Sequence, residues 1–84
     1  MHIPHCKNKG KILSAIVKIP FACNVFLLDY NNLKNYFDGS EYVFYGGRFI
    51  FSPARVSVNQ PGIWYLLVND GECDSRYSYC WEQN

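Results

Sequence analysis

Apolar and polar side chains alternate with a period of two along much of this 84-residue chain, the spacing of half-buried β-strands. In Lys11 to Ile19, Leu13, Ala15, Val17 and Ile19 are all apolar and predict the core face of a first strand. Ile12, Ser14, Ile16 and Lys18 then face the other way. A helix competes, because Ile12, Ala15, Ile16 and Ile19 also fit a 3.6 period, and Pro20 ends either element. Cys23 to Tyr30 is apolar on both faces through Val25, Phe26, Leu27 and Leu28, which predicts a central strand covered on both sides. Asn31-Asn32 breaks it. Leu33 to Phe37 predicts one helical turn, a lid over one end of the core, before Asp38-Gly39 turns the chain.

The stretch from Tyr42 to Asp70 organises the rest, being dense in β-formers and cut into short pieces by turn residues. Glu41 to Tyr45 reads as a strand, Gly46-Gly47 as a tight hairpin reversal, and Arg48 to Phe51 as the returning strand. Ser52-Pro53 predicts an extended corner. Arg55 to Val58 follows, with Val56 and Val58 pointing in and Arg55 and Ser57 out. After the turn Asn59 to Gly62, Ile63 to Val68 is the most apolar run and the predicted central strand of the core. Arg76 to Trp81 predicts a last strand with Tyr77, Tyr79 and Trp81 on one face, and Met1 to Lys9 an irregular lead-in. The expectation is one domain over residues 1–84, all-β, a small sandwich or barrel of about six short strands with one short helical turn.

Composition narrows the function classes. A chain this short buries only roughly 60 to 65% of the surface it exposes when unfolded. With 18% aromatic residues, several rings are therefore expected at the surface, where aromatic side chains commonly meet partners. A formal charge of +1 supplies no field to draw in nucleic acid, and Lys7, Lys9 and Lys11 read as a solvated turn. No run reaches the roughly 18 apolar residues of a membrane span, and the first residues lack the order of a signal peptide. A cytoplasmic protein is expected, with Cys6, Cys23, Cys73 and Cys80 as thiols rather than bridges.

Candidate chemistry is sparse. His2, His5, Cys6, Cys73 and Cys80 are zinc-ligand types, but their spacing does not make the paired arms of a zinc site. A Cys-His nucleophile pair would draw its base from the N-terminal segment, and no third orienting residue announces itself. Cys23 reads most simply as a small buried hydrophobe. Asp29, Asp38, Glu41, Asp70, Glu72 and Asp74 fall mainly at turns, where such residues bond locally. No catalytic residue, metal or cofactor is predicted. The residues that stand out are Tyr45, Arg48, Phe49, Arg55, Arg76, Tyr77 and Tyr79, since arginine interleaved with aromatic rings is typical of protein interfaces.

Five landmarks occur in order: NVFLLD from Asn24, NLKNY from Asn32, YVFYGG from Tyr42, SPARVSV from Ser52 and PGIWYLLVND from Pro61. Over about Ala22 to Asp70 this order resembles the bacterial DUF1883 domain. The resemblance implies a compact, mostly β domain of unassigned function, sometimes joined to a TIR domain in bacterial proteins linked to immune defence. It brings no catalytic residues. The chain departs from the pattern at its end, where GECDSRYSYCWEQN replaces a Gly-rich segment and a further apolar strand, and a solitary module without an attached effector domain is expected. The functional expectation is a non-enzymatic module that binds a protein partner, in the manner of an anti-CRISPR-like inhibitor or decoy of a bacterial immune complex. A module for sugars or nucleotides, stacking them on Trp64, Trp81 or tyrosines, is the other reading.

Overall fold

The computed structural model describes residues 3–69 and 77–83, and seven strands and one helix account for most of them. In chain order these are β1 (His5–Asn8), β2 (Leu13–Lys18), β3 (Cys23–Leu28), α1 (Tyr30–Asp38), β4 (Tyr45–Phe49), β5 (Ala54–Val58), β6 (Gly62–Asn69) and β7 (Ser78–Gln83). They form two antiparallel sheets, ordered β1-β6-β3-β4 and β5-β2-β7. The sheets face each other as a sandwich. Leu13, Ala15 and Val17 of β2 are fully buried, as the alternation predicts, and meet Val25 and Leu27 of β3, Val56 and Val58 of β5, and Trp64 and Leu66 of β6.

Strand β3 is covered on both sides. Its inward Val25 and Leu27 enter the core, while Phe26 and Leu28 lie on the outer face of the larger sheet, over which α1 and the loop after it pack. The helix runs for nine residues where a single turn was expected, because both of its ends are capped. Asp29 accepts from the Asn32 backbone N–H at 2.9 Å. At the other end Gly39 takes the left-handed conformation, with φ of 78°. Asn32, read as a breaker, instead accepts from the Val43 N–H at 2.8 Å and ties the following loop to the helix.

Three expectations are corrected. The lead-in is not irregular: residues 5–8 form β1 beside β6, and the Pro4 carbonyl accepts from the Leu66 N–H at 2.9 Å. Proline lacks a donor but keeps its acceptor, so it starts the pairing. Gly46-Gly47 is not a hairpin turn but the middle of β4, paired with Phe26 and Val25. A Cβ on Gly46 would stand 2.1 Å from the Val25 carbonyl oxygen and 3.3 Å from Val56 Cγ2, so glycine is needed where β4 passes closest to its neighbours. Cys23 is buried as expected but carries a disulfide, whereas Cys6 and Cys80 are free thiols; Cys73 lies outside the described residues.

One end of the sandwich is closed by a polar node. Asn8, fully buried, donates through Nδ2 to the carbonyls of Lys11 (2.6 Å) and Gln60 (2.9 Å). Its Oδ1 accepts from the N–H groups of Gly10 and Lys11 at 3.3 and 3.2 Å. The Gln60 carbonyl also accepts from Trp64 Nε1 at 2.9 Å, so the β1-β2 turn, the β5-β6 turn and the largest core ring are joined.

Two substitutions test these constraints in urea denaturation. Asn8→Ala removes the side chain that pairs the part-buried backbone groups of two turns and is expected to cost about 1 to 3 kcal/mol. Gly46→Ala, at a φ of 121° and against Val25, is expected to cost at least about 2 kcal/mol. Loss of less than about 0.5 kcal/mol in either would show that the contact does not govern stability.

Candidate protein-interaction surfaces

The residues singled out from the sequence are distributed over several surfaces. On β4, Tyr45 and Phe49 pair with Leu27 and Cys23 and share their inward parity, while Arg48 pairs with Asn24 and points away. Phe49 accordingly packs against the core. Tyr45 stays partly exposed, edge-on to Trp64 with ring centres 5.6 Å apart, and its hydroxyl accepts from Gln60 Nε2 at 3.1 Å. Arg55 lies on the outer face of the smaller sheet, where it meets Glu82 of β7 at 2.5 Å across the intervening β2. Both side chains of that pair are about half exposed, so it contributes roughly 0.2 to 1 kcal/mol. Arg76 lies outside the described residues.

Tyr77 and Tyr79 do come together, in a row with Trp81. Their ring centres are spaced 6.2 Å apart at each step. Strand β7 pairs with β2, placing Trp81 opposite Ala15 and Tyr79 opposite Val17 on the inner face of the sheet. Because β7 is the edge strand, this row is only partly covered, and Tyr79 remains 42% exposed. Burial pushes the Tyr77 hydroxyl up from its ordinary pKa of 10.0, with the neighbouring Tyr79 adding to the rise.

Among the described residues, the most exposed large apolar side chains fall where the sequence predicts a returning strand. Strand β4 stops at Phe49, and Ile50 and Phe51 stand 67% and 78% exposed in the turn before Ser52. The Ser52 hydroxyl accepts from the Ile19 N–H at 3.1 Å, which holds this turn beside the β2-β3 turn carrying the exposed Phe21. Lys18 and Arg48 flank the two turns and are exposed. The signal in the sequence was a pair of large apolar residues running directly into Ser-Pro, where alternation had already ceased.

A groove of about 490 Å³ lies at the opposite end, between the start of α1 and the β5-β6 turn, and Asp29, Tyr30, Asn31 and Tyr65 are among its lining residues. The Tyr30 and Tyr65 ring centres are 6.3 Å apart. Trp64, expected as a stacking platform, is buried, and its indole N–H is taken by Gln60. Trp81 is half-buried against the core. Among the described residues no three His, Cys, Asp or Glu side chains gather as metal ligands. No helix among them is long and apolar enough to cross a membrane.

A seven-stranded antiparallel sandwich carrying one capped helix is thus the class of protein. The chain matches the family described as Domain of unknown function (DUF1883) over residues 3–78, and it belongs to that family. The match stops where β7 begins. No curated protein and no solved structure matches the chain.

The raised Tyr77 value has a direction that can be measured. The folded state holds the neutral phenol more tightly than the unfolded state does, so its contribution is fully present below about pH 10 and is lost as pH rises through the folded value. Thermal melts are expected to show stability falling above about pH 10, and Tyr77→Phe to reduce that fall. An unchanged alkaline slope in Tyr77→Phe would assign the loss to other groups.

Proposed function

We propose that this domain is a non-enzymatic protein-interaction module. The observation that carries the reading is the exposure of Ile50 and Phe51 beside Phe21 at one end of the sandwich. Burying a side chain of this size against a partner is worth about 1.5 to 3 kcal/mol, and adjacent apolar anchors within a polar rim are the usual centre of a protein interface. Lys18 and Arg48 supply that rim and favour a partner surface with acidic groups. The family's association with TIR domains suggests the setting, a bacterial immune complex on which such a module would act as a stoichiometric inhibitor or decoy.

The compartment that goes with this reading is the cytoplasm. The disulfide at Cys23 is the feature that tests it, since cytosolic thiols are held reduced. Because Cys23 is buried, alkylation is done in denaturant on protein taken directly from cells, and mass spectrometry is expected to find Cys23 labelled if the compartment is reducing. Protection of Cys23 would move the protein to an oxidising one.

A second reading, a small-ligand module for sugars or nucleotides, is favoured by the groove beside Tyr30 and Tyr65. Its volume falls within the roughly 300 to 1,000 Å³ common for ligand sites. Saturable chemical-shift changes at Tyr30 and Tyr65 with one member of a sugar and nucleotide panel would support it.

The primary reading is tested by affinity capture and weighing of the complex, repeated with Ile50→Ser and Phe51→Ser. Each variant is expected to weaken capture of the same partner at least tenfold while the melting temperature stays unchanged. Undiminished capture by both variants would remove this end of the sandwich as the binding surface.

A further inference from the structure

We infer that β7 pairs edge to edge with β7 of a second copy of this chain, joining the two smaller sheets into one six-stranded sheet about a two-fold axis at Cys80. This goes beyond the interaction at Ile50 and Phe51 and uses a different surface. Strand β7 is hydrogen-bonded to β2 on one side, and among the described residues no strand lies on its other side. An open edge is a template for a further strand unless charge, proline or irregular backbone protects it.

Charge and irregular backbone protect β1 and β4, and of the remaining two edges only β7 leaves its inner face uncovered, since Ala54, Val56 and Val58 of β5 are buried whereas Tyr79 is 42% exposed. Strand β1 bears His5 and Lys7, β4 bears Arg48 and the positive-φ Gly46, and β5 bears Arg55. The sequence of β7, SYCWEQ, has Glu82 as its sole charge. Antiparallel pairing centred on Cys80 sets Cys80 against Cys80 of the second copy, Tyr79 against its Trp81, and Ser78 against its Glu82. That register is self-complementary in two ways. On the inner face it places the half-exposed Tyr79 beside a second aromatic ring, the kind of cross-strand pair that stabilises sheets.

On the outer face the register brings opposite charges within reach. Lys18 pairs with Ser78 on β2, so Glu82 of the second copy stands two strands from Lys18 across a small side chain. Within each chain Glu82 is already held by Arg55 across β2, so Lys18 of the second copy adds to that pair from the other side rather than forming a separate one. Cys80 is an exposed free thiol at the centre of the arrangement and serves as its reporter.

The whole chain is weighed by sedimentation equilibrium, with Cys80→Lys and Cys80→Glu variants alone and mixed, and with a short bismaleimide as cross-linker in a Cys6→Ser background. The expected result is a dimer for the unmodified chain and cross-linking through Cys80. Each charged variant alone should be monomeric with an unchanged melting temperature, and a mixed dimer should form when the two are combined, since only the like-charged pairs repel. A monomeric unmodified chain at millimolar concentration would overturn the inference. So would a dimer that persists in both charged variants, or one that Cys80 does not cross-link.

Discussion

The buried amide of Asn8 is the contact on which the architecture depends. All of its hydrogen-bonding groups are engaged, and each engages the backbone of a turn rather than a strand, so one side chain replaces the water that two reversals would otherwise need. Through the Gln60 carbonyl the same node sets the position of Trp64, whose ring fills the core between the sheets. The consequence is a sandwich with unlike ends. One is tied together by polar contacts, with Ile12, Tyr30 and Ile63 exposed around it, and the other presents Phe21, Ile50 and Phe51 to solvent.

A second constraint is steric. At Gly46 the backbone of β4 passes so close to Val25 that no side chain is tolerated, and this closeness brings Val56 of the opposite sheet into contact. The register of β4 on β3, with strand alternation, carries Tyr45 and Phe49 inward and turns Arg48 outward. Arg55, on the other sheet, is drawn to Glu82. The arginine and aromatic residues that look like one interface in the sequence are separated by this parity.

The match to the family ends at residue 78, the first residue of β7. Strand β7 therefore completes a sandwich whose other six strands lie within the family match, covering β2 and half-covering its own aromatic row. Among the uncovered apolar surfaces are a turn at one end and a sheet edge along the side. They differ physically: the turn offers side chains only, whereas the edge offers backbone groups that another strand can satisfy.

Much of the fold was legible because burial imposes a period of two on any strand with a single core face. Leu13, Ala15 and Val17, then Val56 and Val58, stood out for that reason, and β3 stood out because a strand covered on both sides loses its polar positions. What alternation cannot carry is the identity of a neighbour. Gly46-Gly47 has the local chemistry of a turn, and only the approach of Val25 makes it strand. Asn8 sits among lysines like a solvated residue, and only the β5-β6 turn, 52 residues away, makes it the centre of a buried node. The sequence by itself determined, through alternation, a small β domain and, through composition, more aromatic surface than its core can hold. Which rings and which edge are left over was decided by tertiary pairing, because exposure depends on partners that lie far apart in the sequence.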